Sequence, residues 1–552
     1  MAQAAPIRIG DLLKQKKLIT ERQLQVALMQ QRVTGDLLGD ILIKLNFVSS
    51  KEMGHILAEQ SGFPFVDLSE FVIAEDALLL VPKDVAEKNQ FIPLSVDDGL
   101  LHIGITNPSN ILALDAATRL VKHQPRVSMV DGESFFEALE RAYYFLVNPI
   151  QKRIGEIVSE IKTANAASGQ NISALTEAIL MDGIRRNATD VHVNPAATAV
   201  NVFYRIDGVL QNGHCIPKTA ASGITSRFKI LSQLDIAEQR LPQDGSFSFP
   251  FLSKNYDIRV STIPLIFGEN VVLRILAGTG DLPRMERLGF AERDADHIRS
   301  LFSKPHGIIL ITGPTGSGKT TTLYAALRGV NILERNVITV EDPVEYKLSF
   351  VKQTQVNEKV GYDFALAGRN FMRQDPDVMI IGEIRDEETA KIAVRASITG
   401  HLVLTTLHTN DAVTAIPRLL DLKVDRFLMS SSLLAILAQR LIRKVCFHCR
   451  QECVFDEAER TLLAEAGFTD ARRGMRGAGC PQCGGTGYLG RTCIGELIVV
   501  DDEMRELIYS SASIGHIKDA AIRKGMRPLR LDGLLKAAEG ITTVEEVLRV
   551  AG

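Results

Sequence analysis

Gly313-Pro-Thr-Gly-Ser-Gly-Lys-Thr320 stands between the apolar run Ile308-Ile-Leu-Ile311 and the helix-forming run Leu323 to Leu327. The letters fit the pattern G-x-x-x-x-G-K-[ST], and a strand, a glycine-rich loop and a helix form the setting in which that pattern holds phosphate. Glycines let backbone N–H groups close around phosphate oxygens, and the helix N-terminus adds its positive end. Lys319 would reach the outer phosphates, and Thr320 would offer its hydroxyl to Mg²⁺. Gly313, Pro314, Thr315, Gly316, Ser317, Gly318, Lys319 and Thr320 are therefore the expected nucleoside triphosphate site.

Working outward, further polar groups flank apolar strands. Val337-Ile-Thr-Val340 leads into Glu341-Asp-Pro-Val-Glu345, Val378-Met-Ile-Ile381 leads into Gly382-Glu383, and Leu402 to Thr406 lies between His401 and His408. Ligands bind at the carboxyl ends of parallel strands, so Glu341, Glu383, His401 and His408 are candidates to converge on the phosphates. A general P-loop enzyme carries an Asp just before the position of Glu383, whereas Gly382 stands here, so acidic help for Mg²⁺ falls to Glu341 or Asp342. Glu383 is the expected general base, and the two histidines are expected γ-phosphate sensors.

Cys446-x-x-Cys449 and Cys480-x-x-Cys483 use four of the seven cysteines. Four thiolates in two clips suit tetrahedral Zn²⁺ and leave no open coordination position, so the metal is expected to brace the Gly- and Arg-rich loop Arg472 to Gly479 rather than catalyse. Cys215, Cys453 and Cys493 read as ordinary small side chains.

The chain has 552 residues, enough for three or four domains. Its net charge of −3 and 23% charged residues describe a globular protein with no overall attraction to polyphosphate, and no nucleic-acid partner is expected. No apolar run is long enough to span a bilayer and the start lacks signal-peptide character, so the expected location is cytoplasmic, with recruitment by partners. Sliding the first sixty residues by 29 positions superposes Gly10, Asp11, Leu13, Leu28 and Gln31 on Gly39, Asp40, Leu42, Leu57 and Gln60. Each copy is expected to fold as two short helices, the second opening after the capping pairs Thr20/Gln23 and Ser49/Glu52.

The expected fold is multidomain α/β. A helical repeat over 1–62 precedes a small α/β domain over 63–148, and a linker over 149–172 contains the small polar run Lys162 to Asn171. An α+β domain follows over 173–280, opening with a helix from Ser173 to Asn187. A P-loop core with a parallel sheet occupies 281–500, with the cysteine insertion at 446–483, and a helical subdomain closes the chain over 501–552.

Taken together, these residues resemble the secretion ATPases that power type II secretion and type IV pilus assembly. The P-loop, Glu341-Asp-Pro-Val-Glu345 as an aspartate box, Arg373-Gln-Asp-Pro-Asp377 running into Gly382-Glu383-Ile-Arg-Asp386 as a Walker B region, and Thr399 to Asn410 as a histidine box carry the resemblance over nearly the whole chain. It implies a RecA-like core, a PAS-like domain before it, and a homohexamer. In that ring ATP hydrolysis drives domain movements against an inner-membrane platform protein, adding pilin or pseudopilin subunits. It also implies arginines near the nucleotide at Arg240, Arg259 and Arg274, although Ser246 stands where members commonly have another arginine and Asn194 where a glutamate is usual. The repeat is similar to the module that binds cyclic di-GMP in some members. Its first copy keeps Arg8, its second has Leu37 at that place, and Lys17 and Asn46 replace a later glycine. Residues 63–145 resemble the arm that docks on an inner-membrane assembly protein. The competing readings are a zinc-bearing P-loop nucleic-acid translocase, against which the aspartate and histidine boxes argue, and a nucleotide-sensing adaptor without turnover.

Overall fold

The computed structural model describes residues 8–164, 168–276, 284–328, 330 and 332–552. The chain divides into two compact units, one made of the described parts of Met1–Ile19 and Ser50–Gly280, the other of Thr20–Ser49 and the described parts of Asp281–Gly552.

The second unit is built on a seven-stranded sheet in the order Val351–Gln355, Val337–Glu341, Val378–Ile381, Leu402–Leu407, Gly307–Thr312, Leu433–Val445, Tyr488–Val499. The first six strands run parallel and the last pairs antiparallel. Both faces of the inner strands are covered, which explains why Gly307–Thr312 and Val378–Ile381 read as apolar runs while the edge strand Val351–Gln355 does not. Ile308, Leu310, Ile338, Val340 and Met379 enter one core together with Phe364, Ala393 and the C-terminal Met504 and Ile517. Ile309, Ile311, Val337 and Val378 enter the other, with Ile298, Leu323 and Leu327. Of the helices after residue 501, Asp502–Tyr509 and Ile514–Arg523 complete the sheet's own core through Met504, Ile508, Ile517 and Ala520, while Leu529–Ala538 and Val544–Ala551 bury Leu534, Ala537, Val544 and Val547 with Phe455 and Leu463.

The first unit contains a three-stranded sheet, ordered Phe91–Asp97, Leu100–Ile105, Arg126–Met129, backed by the helix Gly132–Val147. It also contains a six-stranded antiparallel sheet over 190–276, against which the helices Ile150–Ala164, Gly169–Arg185 and Ala221–Leu231 pack. The expected linker over 149–172 needs correction. Ile150, Ile154, Ile157 and Ile161 form a helical stripe buried in that α+β core, so a packed helix occupies 150–164, and 165–167 lie outside the described residues. The helix expected from Ser173 starts at Gly169, because the Ser168 hydroxyl accepts from the Asn171 N–H at 3.1 Å.

The repeat is present as the helices Ile9–Gln15 and Glu21–Thr34, then Leu38–Lys44 and Ser50–Ser61. Thr20 and Gln23 form the expected capping box. Lys17 and Asn46, the residues at the replaced glycine, keep left-handed backbone at φ 56° and 58°. The turn survives, at the cost a side chain incurs in that conformation. The repeat is not one module over 1–62, however. Helix Ser50–Ser61 joins the α/β core through Ala58, whereas 20–49 belongs with the second unit, where Arg22 pairs with Glu334 at 2.7 Å and Phe47 stacks on Phe350.

Candidate active site

Strand Gly307–Thr312 delivers its chain into a loop whose conformation only glycine adopts freely. Gly313, Gly316 and Gly318 have φ of 152°, 78° and 86°. A Cβ on Gly313 would lie 2.5 Å from the Gln439 carbonyl oxygen and 2.6 Å from Ser317 Oγ, so the turn is closed to any side chain. The helix Lys319–Leu327 begins where the loop ends and directs its free amides back into it. Lys319 Nζ donates to the carbonyls of Gly313 at 2.8 Å and Pro314 at 3.1 Å. Burial pushes its pKa down to about 8, with the Glu383 carboxylate opposing. A poorly solvated cation at a ring of glycine amides fits a polyphosphate, and the Thr320 hydroxyl sits in the same first turn.

The three strands Val378–Ile381, Leu402–Leu407 and Gly307–Thr312 are consecutive in the sheet, and their carboxyl ends deliver Glu383, His408 and the P-loop. Glu383 Oε2 lies 3.1 Å from His408 Nε2, and its Oε1 accepts from Arg385 Nε at 2.5 Å. Arg385 also reaches Asp342 at 3.4 Å. His408 Nδ1 stands 3.5 Å from Lys319 Nζ. Gly382 explains the missing aspartate sterically. A Cβ there would lie 3.1 Å from both Phe364 Cε1 and the Val340 carbonyl, so the strand has little room for a side chain.

Glu341 is buried at the end of Val337–Glu341 and accepts from Thr339 Oγ1 at 2.6 Å, Gln353 Nε2 at 3.2 Å and the Tyr324 hydroxyl. Both its oxygens are committed to protein donors. Through Tyr324 it is tied to the helix that follows the P-loop.

His401 does not join this cluster, contrary to the sequence expectation. It precedes strand Leu402–Leu407, and its carbonyl accepts from the Gly307 N–H at 3.2 Å, which puts it at the amino end of the sheet. Six residues of strand separate it from His408, about 20 Å. Its Nδ1 contacts the Ala396 carbonyl at 2.8 Å. Arg259, Arg274 and Asp190 are paired in register across adjacent strands of the six-stranded sheet, and Arg274 Nε bonds Asp190 at 3.0 Å. Arg240 is 89% exposed beside Glu238. These three arginines lie in the first unit and the P-loop in the second. Arg8 is exposed just before helix Ile9–Gln15.

Sequence reasoning passed over Gln439, whose Nε2 donates to the Ser317 carbonyl at 2.7 Å, and Thr409, whose hydroxyl meets Thr312 at 2.7 Å. A lone Gln within Leu433-Leu-Ala-Ile-Leu-Ala-Gln439 was the available signal.

A second constellation lies at the far end of strand Leu433–Val445. The Sγ atoms of Cys446, Cys449, Cys480 and Cys483 all lie within 4.8 Å of one another, with 3.8 Å between Cys446 and Cys480 and 3.9 Å between Cys449 and Cys483. Tetrahedral bonds of about 2.3 Å to zinc require sulfur atoms about 3.8 Å apart, so the donor set fits that metal. Cys483 Sγ also accepts from the N–H groups of Cys480 at 3.1 Å and Gly487 at 3.2 Å, which supports a thiolate. The Gly- and Arg-rich segment Arg472 to Gly479 contains a paired strand. Arg473–Gly477 pairs with Arg450–Val454, and Phe455 packs so closely under Gly474 that a Cβ would lie 2.3 Å away. This hairpin and the helix Glu457–Glu465 fill the long spacing between the clips.

The MshEN domain profile matches residues 61–147. The type IV pilus assembly ATPase PilB of Myxococcus xanthus is 39% identical over 557 residues, covering 98% of each chain. The type II secretion system protein E of Xanthomonas campestris pv. campestris is 38% identical over 570 residues, covering 99% of each. Among solved structures, the ATPase DotB of Legionella pneumophila aligns with 68% of this chain and 94% of its own at 21% identity, with a TM-score of 0.49. The profile of the family described as Type II/IV secretion system protein matches residues 165–549, well over half of the sequence, and the chain belongs to that family.

Proposed function

We propose that this chain is the ATPase of a type IV pilus assembly or type II secretion machine, hydrolysing ATP to drive the addition of pilin or pseudopilin subunits. The observation that carries the reading is the meeting of Lys319, His408 and Glu383 at the ends of three neighbouring parallel strands. Loop amides and Lys319 bind the phosphates, and Glu383 orients the attacking water and accepts its proton. His408 holds the Glu383 carboxylate from one side and Arg385 from the other. Glu341 acts through Tyr324, fixing the helix that begins at Lys319. Mg²⁺ would be held by Thr320, with Asp342 as the acidic candidate of the box now that Glu341 is committed to protein donors, and would neutralise developing phosphate charge. Arg240, Arg259 and Arg274 are the candidates to bring a guanidinium to that charge within a homohexameric ring.

The four cysteines are proposed to hold a structural Zn²⁺, which bonds thiolates and anchors the hairpin. The cyclic di-GMP reading of the repeat rests on Arg8, since Leu37 offers no cation in the second copy. No helix among the described residues is long and apolar enough to cross a membrane, so attachment to an inner-membrane platform would be through partner proteins. The purified chain should hydrolyse Mg-ATP without DNA or RNA. Turnover that depended on nucleic acid would transfer the reading to a translocase.

A further inference from the structure

A single side chain links strand Leu433–Val445 to the phosphate loop. Gln439 is buried, and its Nε2 donates to the Ser317 carbonyl at 2.7 Å. The main-chain carbonyl oxygen of residue 439 is the atom nearest to a Cβ built on Gly313, and the side-chain Nε2 of Gln439 is the nearest to one built on Gly318. Ser317 Oγ and Gln439 Oε1 are both buried without a hydrogen-bond partner, so unused polar capacity is concentrated at this contact.

We propose that Gln439 is a positioning residue that sets the direction of the Gly318 amide in the phosphate cradle, an inference that rests on the ATPase reading above. In a trans peptide the C=O and the following N–H point in opposite directions. Holding the Ser317 carbonyl toward strand Leu433–Val445 therefore aims the Gly318 N–H away from that strand, toward the side where phosphate binds. Gly318 sits at φ 86° with no side chain to resist rotation of the peptide, so an external tie is what keeps the donor aimed. The neighbouring Arg440 donates from its guanidinium to the Asn410 carbonyl at 3.0 Å. One strand thus secures both the phosphate loop and the loop that follows His408.

The test uses the full chain with Gln439→Met, which keeps shape and volume and removes the donor. Loss of one neutral hydrogen bond predicts a rise of about threefold to tenfold in KM for Mg-ATP and in Kd for ADP, with kcat within about twofold. Unchanged KM and Kd, alongside a lower melting temperature without nucleotide, would mean that Gln439 only packs and would overturn the proposal. Should that variant fail to fold, Gln439→Asn withdraws the amide by one methylene and carries the same expectation, and unchanged ADP binding there overturns it equally. A wild-type chain that neither binds nor hydrolyses ATP would overturn the ATPase reading instead, whereas normal wild-type turnover with unaltered variants overturns this inference alone.

Discussion

His408 Nε2 lies 3.1 Å from Glu383 Oε2, joining the ends of two adjacent parallel strands directly beside the P-loop. The bond fixes one oxygen of the carboxylate that must face the attacking water. A hydrogen bond to a charged group is worth about 1.5–3 kcal/mol, so His408→Ala should lower kcat by about 10- to 100-fold. ADP affinity should stay within about threefold, because Lys319 loses only its 3.5 Å contact with His408 and keeps its bonds to the Gly313 and Pro314 carbonyls. Equal losses in ADP binding and kcat would show that the histidine serves the nucleotide and not Glu383.

Lys319 predicts a pH dependence of binding. Burial holds its pKa at about 8 against an ordinary 10.5. Between those values the unfolded chain carries the proton and the folded one does not, so this group lets stability rise with pH through that window. Binding runs the other way. The charged form is complete below about pH 8, and affinity for ADP should weaken as pH rises through it. Polyphosphate favours the ammonium, so calorimetry in two buffers at about pH 9 should show proton uptake on binding. Proton release would contradict the assignment.

The cysteine cluster predicts about one zinc per chain in metal analysis of the purified protein. Strong chelation should lower the melting temperature and free the four thiols for modification, and Cys480→Ser should lower it likewise and free the remaining three. A metal-free chain with the same melting temperature would remove the structural role.

Gly382 predicts that restoring the acid of a general P-loop enzyme fails. Gly382→Asp forces a side chain between Phe364 and the Val340 carbonyl and should destabilise by about 1–3 kcal/mol without raising hydrolysis. An unchanged melting temperature would show that the strand has room.

The glycine-rich turn and the helix after it are legible because their signals, glycine spacing followed by Lys319 and Thr320, stand in consecutive residues and need no tertiary information. The cysteine clips were legible for the same reason. The place of His401 is not legible in the sequence, because a strand has two ends and only the topology tells which one lies beside the P-loop. Ile150, Ile154, Ile157 and Ile161 carried a readable helical stripe, but the polar run from Lys162 drew the linker across it. Gln439 acquires meaning only from the strand order, which sets its strand beside Gly307–Thr312. The division of the repeat between two units depends on the partners of Arg22 and Phe47, some three hundred residues away.

The most direct measurement is steady-state Mg-ATP hydrolysis by the wild type and Glu383→Gln, with nucleotide binding measured on the same samples. General-base loss predicts a fall in kcat on the order of 10²- to 10⁴-fold with ADP and ATP still bound. Undiminished hydrolysis in Glu383→Gln would contradict the account of this site.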